Sequence, residues 1–162
     1  TLVNALKELP EFKDYKFATE RSEYLRDLGI PLNTDSTIKG QLIFLAERSS
    51  ELLQENIITD RTVVDVIAFT KSARSISWTQ GKQFETLAKN LINDYDYLFY
   101  VSPKGVELED NGVRTIDKEY RKEIDLTIKD IIKDKLGKHP KYTEISGSTE
   151  ERIEKIKQTI FH

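Results

Sequence analysis

Apolar residues along the chain recur at two spacings, and these predict helices and strands in alternation. Helical spacing predicts helices over residues 1–9, 36–54, 63–73, 82–92, 118–135 and 148–161. Short apolar or aromatic runs predict strands over residues 15–19, 56–59, 95–101 and 142–145. Strands that alternate with helices are typical of an α/β fold, in which helices cover both faces of a parallel sheet.

The helix predicted over residues 36–54 shows how this pattern is used. Its apolar positions define the face that we expect to be buried: Ile38, Leu42, Leu45, Ala46, Leu52 and Leu53. Thr34, Asp35 or Ser36 is expected to cap its first turn. At the last predicted helix, Ser148 and Glu151 have the spacing of a capping box.

Composition narrows the functional classes. The chain has 162 residues, which suits one domain, and its 25 basic and 28 acidic residues give a net charge of -3 with no basic cluster. Nucleic acid is therefore an unlikely partner. There is no Cys and there are only two His, so any metal should be bound by carboxylates or phosphates. No apolar run reaches the roughly 18 residues of a membrane span, and we expect a cytoplasmic protein.

An acid and a base follow the strand predicted over residues 56–59. Asp60 and Arg61 come directly after it, at the end of the strand where open α/β sheets bind their ligands. This position points to phosphate chemistry. The alternative is that Asp60 caps the helix that starts at Thr62 while Arg61 pairs with a neighbour. Asp65, one turn further on, could point toward the same site, but the simpler explanation is the helix dipole, which favours an acid in the first turn.

Five short motifs occur in an order that carries a family resemblance: Thr1–Leu6, Thr59–Thr62, Asp110–Arg114, Ile145–Ser148 and Glu150–Arg152. With them the chain resembles the P-loop kinases of the nucleoside and nucleotide kinase group. It is most similar to the ribosylnicotinamide-kinase-like AAA-type ATPases of bacteria and phages. The resemblance implies one P-loop NTPase domain over residues 1–162, with ATP and Mg²⁺ as cofactors and a lid over residues 104–122. It also implies that a first strand and a phosphate-binding P-loop belong before Thr1.

The resemblance assigns roles around the phosphates. Thr1 either follows the P-loop or supplies a hydroxyl to Mg²⁺, and Gly147 and Ser148 lie near the nucleotide. Asp60 either holds Mg²⁺ through water or takes the proton of the acceptor hydroxyl. Arg61 binds substrate or phosphate.

Further roles are implied at the acceptor site and the lid. Glu20 and Arg21 follow a strand and are expected to touch substrate, although a solvated helix start explains them equally well. Arg114 and Arg121 are expected to reach the transferred phosphate from the lid. The alternative for the lid helix is a surface helix with many opposite charges.

Three functions remain open on these grounds. The first is ATP- and Mg²⁺-dependent phosphoryl transfer to a nucleoside, a nucleotide or a ribosyl nucleoside-like small molecule. The second is a nucleotide-binding switch or adaptor with weak or no hydrolysis. The third is a kinase that acts on modified DNA bases. A Gly-x-x-x-x-Gly-Lys-Ser/Thr motif ending at residue 1 would favour catalysis over the switch.

Overall fold

The computed structural model describes residues 1–19, 21–102, 117–133 and 142–162. The α-helices in these ranges are α1 (Leu2–Lys7), α2 (Ser22–Asp27), α3 (Ile38–Leu52), α4 (Val63–Ser72), α5 (Trp78–Ile92), α6 (Asp117–Ile131) and α7 (Thr149–Ile160). The strands are β1 (Lys16–Ala18), β2 (Ile57–Thr59), β3 (Leu98–Val101) and β4 (Tyr142–Ile145). The predicted alternation of strands and helices is confirmed. Of the helices described, none combines the length and the apolar character needed to cross a membrane.

The strands form two parallel pairs instead of the single sheet that was predicted. β1 pairs with β2, where Phe17 lies opposite Ile58, and β3 pairs with β4, where Phe99 lies opposite Thr143. Within the described part of the chain, no strand bridges β2 and β3, so the two pairs stay separate. The mixed α/β class with parallel pairing is therefore confirmed, and the continuous sheet is not.

Side chains on opposite faces of the strands enter two apolar clusters. On one face, Phe17, Ile58, Phe99 and Ile145, one from each strand, pack with α1 and α7. On the other face, Leu98 and its neighbours pack with α3, α4, α5 and α6. Because successive side chains of a strand point to opposite faces, β3 carries helices on both sides.

The first turn of α3 is capped by a residue that the sequence pattern did not single out. The hydroxyl of Thr37 accepts the N–H of Gly40 at 3.1 Å. The predicted caps Thr34, Asp35 and Ser36 are wrong, since the residues up to Asp35 form a short 3-10 turn of their own. α3 therefore begins two residues later than predicted.

The buried face of α3 also differs from the amphipathic prediction. Gln41, Arg48 and Glu51 are buried, whereas Leu42 is 44% exposed and Leu53 is 88% exposed. The polar residues are tolerated inside because they have partners: Arg48 lies 2.8 Å from Glu51, and Gln41 bonds to α4. Specific polar contacts, and not hydrophobicity alone, set the rotation of this helix.

Helix α5 starts four residues before the predicted position at Lys82. The hydroxyl of Ser77 accepts the N–H of Gln80 at 3.2 Å and caps the helix, so Gly81 lies inside α5. Trp78, at the first turn, is 78% exposed. The connection between α4 and α5 is therefore shorter than predicted.

Tyr95 fixes the start of α4 from the loop before β3. Its hydroxyl accepts the N–H of Val63, a residue with 0% exposure, at 2.9 Å. We expect Tyr95→Phe to lower the free energy of unfolding by about 1–3 kcal/mol, because a buried N–H loses its partner. Urea denaturation measures the change. Tyr97→Phe is the matched control, since Tyr97 is 40% exposed, and equal losses in the two variants would contradict this role for Tyr95.

Candidate functional site

A cleft of about 930 Å³ lies between the two strand pairs, and we call it the intersheet cleft. Ile57–Thr59 of β2 and Leu98–Val101 of β3 line it, together with Thr1 at the start of α1 and Asp60–Thr62 after β2. Among the described strands, β2 is paired only with β1 and β3 only with β4. The cleft is therefore bordered by the open backbone edges of two strands.

Asp60 lies at the carboxyl end of β2 and lines this cleft. Its N–H donates to the carbonyl of Ala18 at 2.9 Å, which continues the β1–β2 pairing by one residue. Asp60 does not cap α4, because that position belongs to Thr62. No hydrogen bond or ion pair with another described residue engages its carboxylate, so the group is available to a ligand in the cleft.

Arg61 has the backbone conformation that a non-glycine residue rarely adopts, with φ of 78°. The hydroxyl of Thr59 donates to its carbonyl at 2.8 Å and holds this turn. The guanidinium lies 5.2 Å from the ring centre of Phe69. Conformations of this kind persist where the surrounding structure enforces them and are frequent at functional sites.

Asp65 completes a capping box at the start of α4. Its carboxylate accepts the N–H of Thr62 at 2.8 Å, while the hydroxyl of Thr62 accepts the N–H of Val64 at 3.1 Å. Asp65 is thus a first-turn acid of α4, as the simpler explanation predicted, and it also lines the intersheet cleft, as the alternative predicted. Protein atoms crowd this carboxylate, and the resulting desolvation raises the pKa of Asp65, although the charge of nearby Arg61 opposes the shift.

The raised pKa of Asp65 predicts a pH dependence of stability. The native protein holds this proton more tightly than the unfolded chain does. The free energy of unfolding should therefore fall as pH rises from the ordinary carboxyl range, about pH 4, through the native pKa. Asp65→Asn removes the titration, so we expect a smaller loss of stability over that interval. Urea denaturation between about pH 4 and 7 checks this, with the exposed Asp14→Asn as control; unchanged slopes in both variants would refute it.

A second cavity, of about 430 Å³, lies between α2, α3 and α4, and we call it the helix pocket. Its lining includes Ser36, Gln41 and Phe44, and on α4 Phe69. Arg61 and Asp65 line both this pocket and the intersheet cleft. The two cavities consequently meet at the carboxyl end of β2.

The predicted site residues are brought together only in part. Thr1, Asp60 and Arg61 share the intersheet cleft. The hydroxyl of Thr1 accepts the N–H of Asn4 at 3.3 Å and so caps α1. Arg21 lines neither cavity; it lies 3.6 Å from the carboxylate of Glu47 and 4.4 Å from the ring centre of Tyr24.

The remaining predicted residues lie elsewhere or outside the described ranges. Arg121 is exposed on α6, and Gly147 and Ser148 are in the turn before α7; none of the three lines either cavity. The hydroxyl of Ser148 accepts the N–H of Glu151 at 3.2 Å, as the capping pattern predicted. Glu20, Arg114 and most of the predicted lid over 104–122 fall outside the described residues.

Mg²⁺ would have few protein ligands here. Among the described residues there is no group of three or more His, Cys, Asp or Glu side chains able to hold a metal. Asp60 offers one unengaged carboxylate at the cleft. One carboxylate together with phosphate oxygens and water is a common way for proteins to hold Mg²⁺, so the donor set fits an ion that arrives with a triphosphate.

Sequence reasoning missed the helix pocket. Its polar residues Gln41 and Arg48 lie on α3 seven residues apart, with Phe44 between them, a spacing that places all three on one helical face. That spacing was a usable signal, but the leucines of the same helix dominated the prediction.

Residues at the carboxyl end of β2 thus form the candidate site, with one cavity on each side of them. No family model, curated protein or solved structure matches this chain.

Proposed function

We propose that this chain catalyses ATP- and Mg²⁺-dependent phosphoryl transfer to a nucleoside, a nucleotide or a ribosyl nucleoside-like small molecule. The observation that carries the proposal is the meeting of two cavities at Arg61 and Asp65. A kinase must hold a phosphoryl donor and an acceptor on opposite sides of the transferred group. Two cavities that open onto the same residues meet this requirement.

The donor belongs in the intersheet cleft under this proposal. A further strand in the cleft could hydrogen-bond to the open edges of both β2 and β3, and it would then end beside Asp60. The resemblance to P-loop kinases implies a phosphate-binding strand and loop in the cleft beside Asp60. Thr1, at the start of α1, also lines the cleft, so a donor bound there would lie beside the first turn of this helix.

The side chains at the junction have defined tasks. Asp60, with its unengaged carboxylate, accepts the proton of the acceptor hydroxyl or holds Mg²⁺ through water. Arg61 offsets negative charge that develops on the transferred group. Mg²⁺, when bound with ATP, neutralises the phosphate oxygens. Arg114 and Arg121 keep their proposed task of approaching the phosphate from the lid.

The test is an assay of the full-length protein with radiolabelled ATP, Mg²⁺ and a panel of nucleosides, nucleotides and nicotinamide riboside. We expect label to appear on at least one member of the panel. ATP binding without transfer to any member would instead support the nucleotide-binding switch. Failure to bind ATP at all would reject both functions.

A further inference from the structure

The helix pocket has the size and lining of a small-molecule site. Its volume of about 430 Å³ lies within the usual range for ligand pockets, roughly 300–1,000 Å³. Phe44 and Phe69 supply apolar walls, and Arg61 and Asp65 lie where the pocket meets the intersheet cleft. A ligand bound here would have one end beside the proposed site of phosphoryl transfer.

The orientation of the Gln41 amide is fixed by α4. The hydroxyl of Thr70 donates to the carbonyl of Val66 at 2.8 Å, so its oxygen is left to accept. The side-chain nitrogen of Gln41 donates to that oxygen at 2.9 Å and approaches the carbonyl of Val66 at 3.4 Å. A reversed amide would place its oxygen against the carbonyl of Val66, and Thr70 could donate to that oxygen only by giving up its own hydrogen bond to Val66.

The oxygen of the Gln41 amide is therefore the group left for a ligand. Gln41 is only 2% exposed and lines the pocket, yet its oxygen accepts no hydrogen bond from any described residue. Most polar side-chain atoms of buried residues are hydrogen-bonded, so an oxygen without a partner, on a residue that lines a cavity, is a candidate contact for a ligand. Ser36, also 2% exposed and part of the lining, has a hydroxyl without a partner among the described residues. The pocket thus presents an acceptor and a hydroxyl between aromatic walls, together with the buried Nε donor of Arg48, which has no hydrogen-bond partner among the described residues.

The arginines of the pocket divide into two kinds. Arg48 lies 2.8 Å from Glu51 and 3.7 Å from Glu47, so its charge is already balanced. Arg61 is exposed at the junction of the cavities and forms no ion pair within the salt-bridge distance with a described residue. A charged group of a ligand would therefore contact Arg61 where the two cavities meet. The interior of the helix pocket would contact the ligand through hydrogen bonds.

We propose that the helix pocket binds a planar ring that carries an amino group, and that the Gln41 side-chain oxygen accepts a hydrogen bond from that amino group. Thr70 is the positioning residue that holds the amide in this orientation. This inference rests on the proposed function in one respect: it takes the ring to be part of the molecule that accepts the phosphoryl group. Adenine- and cytosine-type rings carry such an amino group, and nicotinamide-type rings offer the same N–H2 donor from a carboxamide.

Binding measured by calorimetry without ATP or Mg²⁺ tests the pocket separately from catalysis. The probes are three pairs that differ at the amino group: adenosine and purine riboside, cytidine and pyrimidin-2-one riboside, nicotinamide riboside and nicotinic acid riboside. We expect the amino-bearing member of at least one pair to bind about 10-fold more tightly or better, since its partner leaves the Gln41 oxygen unpaired. Equal affinities within all pairs, or no binding of any probe, would overturn the proposal.

Two variants locate the preference in the pocket. Gln41→Leu should reduce it to within about twofold, since the amide oxygen that accepts from the amino group is removed. Thr70→Val should also reduce it, because the amide then keeps only the Val66 carbonyl to hold its orientation, whereas Thr70→Ser should retain it. Gln83→Leu, on the exposed surface of α5, is the control. If circular dichroism shows that Gln41→Leu does not fold, the two Thr70 variants serve as the test. Equal preferences for the amino-bearing probes in Thr70→Val and Thr70→Ser would refute the role of Thr70 in orienting the Gln41 amide.

The outcomes separate the two proposals. A preference for amino-bearing probes that depends on Gln41, without any phosphoryl transfer in the ATP assay, would leave the pocket assignment standing and reject the kinase. Phosphoryl transfer at equal rates to acceptors with and without the amino group would support the kinase and reject the pocket assignment.

Discussion

Asp60→Asn is expected to lower the turnover of phosphoryl transfer by about 10²- to 10⁴-fold and to leave ATP binding nearly unchanged. Asparagine keeps the size of the side chain but loses its negative charge and its basicity. Because Asp60 makes no hydrogen bond or ion pair to another described residue through its carboxylate, the fold should tolerate the change. Steady-state kinetics and ATP titration of the full-length protein measure the two effects.

The control for this substitution is Asp14→Asn, which changes an exposed acid that lines neither cavity. It should keep the turnover of the unchanged protein. Mg²⁺ titration then distinguishes the two proposed tasks of Asp60. If the carboxylate holds the ion, excess Mg²⁺ should recover part of the lost activity of Asp60→Asn; if it accepts a proton, excess Mg²⁺ should recover none. Normal turnover in Asp60→Asn would remove this residue from the site.

Arg48→Met is expected to lower the free energy of unfolding by about 3–5 kcal/mol, the usual cost of removing one partner from a buried ion pair. Arg48 is 2% exposed and Glu51 is 8% exposed. Burial raises the pKa of Glu51, and Arg48 opposes that shift. Without the arginine, Glu51 must be buried without its countercharge or take up a proton. Urea denaturation near neutral pH measures the loss.

Two comparisons show whether the buried pair is responsible for that loss. Arg26→Met removes a guanidinium whose partners Glu23 and Asp27 are exposed, and it should cost no more than about 1 kcal/mol. Arg48→Met combined with Glu51→Leu removes both charges and should recover much of the stability lost in Arg48→Met alone. If the double variant is as unstable as the single one, the loss does not come from an unpaired Glu51 carboxylate.

Local pattern was sufficient for most of the secondary structure. The strand at 142–145 was predicted with its observed bounds, and the start of α4 at Val63 was predicted to the residue. Signals of this kind lie within one turn or a few residues of the position that they determine. Where the capping hydroxyl was not the expected one, as with Thr37 at α3, or was not predicted at all, as with Ser77 at α5, the predicted helix start was off by a few residues.

The candidate site was predictable in one part only. The position of Asp60 and Arg61 after a strand placed them at a ligand-binding edge, and the structure lines the intersheet cleft with both. The helix pocket was not predicted. Gln41 bonds residues 25 and 29 positions away, and no local spacing reports such contacts.

The sequence by itself determined the order of helices and strands, the parallel α/β class and the acid–base pair after β2, because these follow from local periodicity and from the ends of strands. The tertiary structure alone decided which face of α3 is buried, which polar side chains have partners, and that two cavities meet at Arg61 and Asp65. The physical reason is that burying a polar group is costly unless a partner lies within hydrogen-bond distance, and those partners come from other elements of the fold.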